Sequence, residues 1–166
     1  MKKLVVFGGL LVLVLGGCAR TQKQEYAGVG PDGDYVPGTP LPPRQEGVSF
    51  LSDRVAKNQF APVYFGFDRS DVPPSEMPKL QQVATFMKQG GNNVILAGFT
   101  DERGTEEYNR ALGERRAQAV CDALIGLGAA PARIQTVSFG LEMPADPGHN
   151  EAAWAKNRRV ETGLVR

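Results

Sequence analysis

An α/β fold, in the form of an α+β sandwich, is what this sequence predicts: a four-stranded mixed sheet covered by two main helices, in the order β-α-β-α-β-(α)-β. Three observations predict it. Short segments rich in β-branched and aromatic residues recur near 63–67, 93–99, 134–139 and 160–164. Between them lie two stretches whose apolar residues repeat at helical spacing, which calls for helices on a sheet rather than a helix bundle. Glycines punctuate the ends of both stretches, at Gly90-Gly91 and at Gly128.

The elements follow in order. Val63, Phe65 and Phe67 alternate with Tyr64 and Gly66, which predicts a first strand. Met77, Leu80, Val83, Ala84 and Met87 share one face of a first helix. Asn93 to Phe99 reads as a second strand. Thr105 is placed to cap a long second helix, with Glu106 and Glu107 complementing its dipole. That helix runs to Leu127. Ile134 to Phe139 is the third strand, Ala152 to Lys156 one or two helical turns, and Val160, Thr162 and Leu164 a last short strand. Val48 to Val55 reads as a short helix or turn at the domain entrance.

Residues 1–17 have the layout of a secretion signal. Lys2 and Lys3 precede an apolar run, Leu4 to Leu15, that is too short to span a hydrocarbon core of about 30 Å. The run closes on Leu15-Gly16-Gly17-Cys18, which resembles the bacterial lipobox. That resemblance implies lipidation of Cys18, which becomes the mature N-terminus and anchors the protein to a membrane without a transmembrane helix. Ala19 stands where an aspartate would favour the inner membrane, so the outer membrane, facing the periplasm, is expected. Residues 18–58 then read as the lipidated cysteine and a flexible tether. Five prolines (Pro31, Pro37, Pro40, Pro42, Pro43) and five glycines interrupt this stretch, and no apolar period survives. Residues 59–166 are domain-sized.

Composition narrows the functional classes. The 166 residues carry a net charge of +1, which gives no electrostatic bias toward nucleic acid. With Cys18 lipidated, Cys121 is left without an intramolecular disulfide partner and reads as a small buried hydrophobe. No phosphate-cradling glycine loop and no Cys/His cluster for a metal is present in the sequence, so no cofactor is expected. His149 is the only histidine and stands far in sequence from any candidate nucleophile, which argues against a catalytic triad. Asp101 and Glu102 are adjacent at a turn, so they point apart rather than forming a glycan-cleaving pair.

One residue breaks the helical pattern. Leu112, Val120, Ala123 and Leu127 form an apolar stripe on the second helix, with Arg116 in its middle and Asn109 on the same line two turns earlier. A guanidinium facing a core needs an anionic partner. Asp101 follows the second strand directly, at a strand end that feeds a helix N-terminus, where open α/β sheets bind ligands. Asp101, Asn109 and Arg116 together suit a zwitterionic amino-acid head; an internal Asp101–Arg116 ion pair is the competing reading.

The run Thr100-Asp101-Glu102-Arg103-Gly104-Thr105-Glu106-Glu107-Tyr108-Asn109, continuing through Leu112-Gly113-Glu114-Arg115-Arg116-Ala117, resembles the signature of the OmpA-like peptidoglycan-binding domain family. Within that family it is most similar to the peptidoglycan-associated lipoproteins. Val63 to Asp68 and the stretches Gly148 to Ala153 and Lys156 to Arg159 match in order as well. The resemblance implies a non-enzymatic protein that holds the diaminopimelate residue of the peptidoglycan stem peptide. Arg116 then matches the arginine that grips the ligand carboxylate, and Asp101 the aspartate that meets its ammonium. Asp68, Thr100, Asn109 and Leu112 match supporting positions, and Arg158 is carried over with them. Phe99 departs from the histidine often found before this motif. The implied partners are peptidoglycan, the outer membrane through the lipid on Cys18, and TolB with other Tol proteins; a wall-binding lipoprotein without a Tol partner is the alternative.

Overall fold

The computed structural model describes residues 48–90 and 92–166; the signal segment, Cys18 and the tether up to residue 47 lie outside the described residues. The elements are β1 (Val55–Ala56), β2 (Val63–Tyr64), α1 (Met77–Lys88), β3 (Val94–Phe99), α2 (Glu106–Gly126), β4 (Ile134–Gly140), α3 (Glu151–Asn157) and β5 (Arg159–Val165). The sheet order is β1-β5-β3-β4, with β2 also paired to β5. β3 and β4 are parallel, joined by the crossover through α2, and β5 is antiparallel to β3, so the sheet is mixed.

The expected single strand over Val63 to Phe67 is a two-residue strand. Its pairing continues for one bond, from Phe65 N to the Arg158 carbonyl at 3.0 Å, before the chain turns through Asp68 at φ 54°. A fifth strand that the sequence pattern does not announce is β1, paired with β5 at Val55↔Val165. β1 and β2 line the same edge of β5 one after the other, as a single edge strand broken by the chain between them.

The packed part therefore starts before Gln59. Val48 to Val55 contains hydrogen-bonded turns, from Ser52 N to Ser49 O and from Val55 N to Ser52 O. Phe50 and Val55 are buried with Ile95, Ala97 and Phe99 on the face of the sheet opposite the helices. Phe50 and Phe99 both contact Phe139, Phe99 in a stacked pair with centroids 5.2 Å apart. On the other face, Val94 and Leu96 meet Leu80, Val83, Ala84 and Met87 of α1 and Ala117, Val120 and Leu124 of α2. With both faces covered, all six residues of β3 are buried, which is why it reads as an unbroken apolar run.

Two glycines let α2 lie directly on the sheet. A Cβ at Gly98 would collide with the carbonyl of Gly113, and one at Gly113 with the Ser138 hydroxyl. The close approach brings the first turns of α2 against the end of β3. β2 runs parallel to β3 and β5 antiparallel, so the end of β2, the end of β3 and the start of β5 meet at one edge of the molecule.

Candidate functional site

The site forms where those strand ends meet the N-terminus of α2. Gly104 turns the chain at φ 99°, and Thr105 caps the helix by accepting a hydrogen bond from Tyr108 N at 3.2 Å. A cavity of about 190 Å³ opens there, lined by Phe67, Asp68, Thr100, Asp101, Arg103, Gly104, Tyr108, Asn109, Leu112 and Arg116. It has room for several water-sized groups.

Arg116 is the largest fully buried side chain among the described residues. It makes no ion pair within the described residues. Backbone carbonyls hold it instead: Nε donates to Arg69 O at 2.8 Å, Nη1 to Phe99 O at 2.9 Å and Nη2 to Gly66 O at 3.1 Å. The internal Asp101–Arg116 pair is thus absent, and carbonyl dipoles stand where a full negative charge was expected. Burial pulls the guanidinium down to about 10, so it stays charged at neutral pH. Of its five N–H donors, the carbonyls take three and leave one on each terminal nitrogen.

Asp101 is buried and meets other arginines. Its Oδ1 accepts from Arg103 N at 3.2 Å and Arg103 Nε at 3.3 Å; its Oδ2 accepts from Arg103 Nη2 at 2.7 Å and Arg158 Nη1 at 3.2 Å. Burial pushes the carboxyl up, but the hydrogen bonds from Arg103 and Arg158 outweigh it and hold the group below the usual carboxylate range. Arg158 does not line the cavity. It is fixed by Phe65 O at 3.0 Å and Glu151 Oε1 at 2.7 Å, and it reaches the cavity only through Asp101.

The other expected residues lie around the same cavity. Thr100 is buried, and its hydroxyl is the one buried side-chain polar atom without a partner among the described residues. Asn109 Nδ2 donates to Arg103 O at 3.0 Å, tying α2 to the turn. Asp68 accepts the Tyr108 hydroxyl, a contact that raises the phenol. Leu112 supplies an apolar wall. Phe99 turns its ring to the opposite sheet face and offers the site only its carbonyl, so the departure from histidine leaves the cavity lining intact.

Arg103, Phe67, Gly104 and Tyr108 line the cavity without having been singled out in the sequence. The Arg103 guanidinium lies 3.9 Å from the centroid of Phe67 and 4.1 Å from that of Trp154. His149 ties its loop to Glu102: its Nδ1 lies 2.8 Å from the Glu102 carboxylate, which also accepts Trp154 Nε1 at 2.9 Å. These two contacts hold the Glu102 carboxyl below its ordinary range.

Residues 64–158, which carry every cavity-lining residue, match the family model described as the OmpA family. The chain belongs to the OmpA family. It is 42% identical over 92% of its length to a peptidoglycan-associated lipoprotein of Pseudomonas aeruginosa, covering 90% of that protein. A peptidoglycan-associated lipoprotein of Pasteurella multocida is 38% identical over 96% of the chain, with 94% of that protein covered. Among solved structures, the peptidoglycan-associated lipoprotein of Burkholderia pseudomallei superposes with a TM-score of 0.58 at 45% identity, over 63% of this chain and 87% of that one. The C-terminal domain of MotB from Helicobacter pylori, at 23% identity, has a TM-score of 0.54 over 61% of this chain and 81% of that one, and shares the OmpA-like fold.

Proposed function

We propose that this chain is an outer-membrane lipoprotein that faces the periplasm and binds peptidoglycan through the diaminopimelate residue of the stem peptide. The observation that carries the reading is Arg116: a charged guanidinium, wholly buried, beside a cavity and hydrogen-bonded to backbone carbonyls rather than to a carboxylate among the described residues. The two N–H groups left over are suited to a carboxylate from outside the chain. The unpartnered Thr100 hydroxyl lies on the same cavity, and Asp68 and Asp101 supply negative charge for an ammonium. A zwitterionic amino-acid head complements this arrangement. The full-length relatives whose names contain both peptidoglycan and lipoprotein support the ligand and the anchor.

The site does no chemistry. It works by reversible binding, repeated over many copies between membrane and wall. Engagement of TolB and other Tol proteins completes the reading; it rests on the family resemblance and is tested by recovery of TolB with the tagged chain from envelope extract.

The decisive experiment is co-sedimentation of the full chain, kept in detergent, with purified peptidoglycan. The chain pellets with the wall, and free meso-diaminopimelate releases it in a dose-dependent way. Pelleting that diaminopimelate leaves unchanged rejects the ligand. Release of soluble wall fragments during the assay rejects a purely binding role.

A further inference from the structure

We infer that the Arg103 guanidinium is a built-in competitor for the ammonium position at Asp101, displaced toward Glu151 when a ligand enters. The inference rests on the proposed ligand reading and concerns the contacts that Asp101 makes within the chain.

A carboxylate offers about four acceptor directions. All are occupied on Asp101: two on Oδ1 and one on Oδ2 by Arg103, and the last by Arg158. An ammonium therefore cannot reach Asp101 as it stands. One of the two arginines has to yield, and the structure distinguishes them. Arg158 has a side chain 7% exposed, locked by Phe65 O and Glu151 as well as by Asp101. Arg103 is 31% exposed and makes no side-chain hydrogen bond except to Asp101.

Arg103 also has somewhere to go. Its Nη2 lies 3.6 Å from Glu151 Oε2, whose side chain is 63% exposed. The faces of Phe67 and Trp154 form a slot in which the planar group can slide without losing its aromatic contacts. A small translation exchanges one carboxylate for another. The charge of Asp101 is thus compensated by Arg103 and Arg158 within the chain, and by the ammonium and Arg158 once a ligand enters, which spares the fold an unpaired buried anion. The same device sets selectivity. A simple amine gains only what Arg103 gives up, whereas a ligand that also brings a carboxylate to Arg116 has a second, uncontested interaction with which to displace it.

The equilibrium between the closed and open positions of Arg103 lowers apparent affinity by the open fraction. Removing the competitor therefore tightens binding. Calorimetric titration of the full chain in detergent with the tripeptide L-alanyl-D-glutamyl-meso-diaminopimelate tests this. Arg103→Met keeps an apolar group in the slot and binds on the order of three- to tenfold more tightly than the parent. Arg103→Lys, which retains charge but not the planar fork, falls between the two. In the unsubstituted chain the Arg103 Nε–H resonance moves on saturation with the tripeptide. Equal or weaker binding by Arg103→Met and Arg103→Lys, or a resonance that does not move, overturns the competitor while leaving the pocket intact. A parent chain that does not bind the tripeptide overturns the ligand reading and the competitor together.

Discussion

Replacing Arg116 with lysine keeps a positive charge but strands the carbonyls that the guanidinium now satisfies. An ammonium cannot present three donors toward Arg69 O, Phe99 O and Gly66 O and still meet a carboxylate in plane. Each buried acceptor left unpaired costs about 1–3 kcal/mol. Arg116→Lys is therefore expected to lower the melting temperature and to lose peptidoglycan pelleting; Arg116→Ala adds a cavity and costs more. Asp101→Asn separates the two roles, since it keeps the shape but removes the charge that compensates Arg103 and Arg158; it is expected to lose pelleting with a smaller thermal shift. The acid response follows from the same contacts. Folding holds the Asp101 carboxyl below its unfolded value of about 3.9, so its contribution is complete above that pH and is lost as the pH falls through the lower, folded value. Thermal melts of the parent and of Asp101→Asn between pH 6 and pH 2 check this: the parent loses stability more steeply below about pH 4, and parallel curves refute it. At this scale the sequence pattern located Arg116, because helical periodicity makes a charge on an apolar stripe conspicuous. It did not reveal its partners, since carbonyls from residues 66, 69 and 99 leave no mark in side-chain composition.

The elements show the same division. α1 and α2 were legible within a residue or two because each buries one face at helical spacing, and β3, β4 and β5 because each is a run of six or seven residues that contains several β-branched or aromatic ones. β1 and β2 are two residues each, too short for alternation to register, and Phe50 sits among the polar and proline-rich residues of the tether reading. Its burial depends on Phe139, far along the chain, which no local pattern foreshadows. The Gly98–Gly113 contact was likewise hidden, since neither glycine stands at a turn. It carries a direct test. Gly98→Ala drives a methyl into backbone, which cannot move aside as a flexible side chain can, so α2 has to lift off the sheet. The expected cost is about 1–3 kcal/mol or more, measured by denaturant unfolding. Because α2 brings Asn109, Leu112 and Arg116 to the cavity, ligand affinity falls as well, even under conditions in which the variant is fully folded. A Gly98→Ala protein with unchanged stability and affinity refutes the close-packed placement of α2.

For the whole molecule, the proposed function requires that the domain be tied to a membrane while it holds the wall. About thirty residues separate Cys18 from Val48, where the described domain begins, and covalent geometry limits a chain of that length to a reach of about 100 Å, which bounds how far the wall can lie from the membrane that holds the domain. In the proposed function, lipid on Cys18 would supply the tie: one acyl chain binds a bilayer only marginally, with an association constant of about 10⁴ M⁻¹, and added chains make the hold stable. Many such anchors on one membrane turn separate weak contacts into one multivalent attachment, in which a released domain is recaptured before its neighbours let go. Cys18→Ser removes the anchor without touching the cavity. The variant is expected to leave the membrane fraction and to bind isolated peptidoglycan with the same single-site affinity as the parent. When the parent is displayed on vesicles, by contrast, it retains sacculi through washes that strip the soluble variant, and dilution of the lipoprotein in the vesicle weakens that retention steeply. Membrane association that survives Cys18→Ser refutes the lipid anchor, and retention that falls only in proportion to lipoprotein density refutes multivalency.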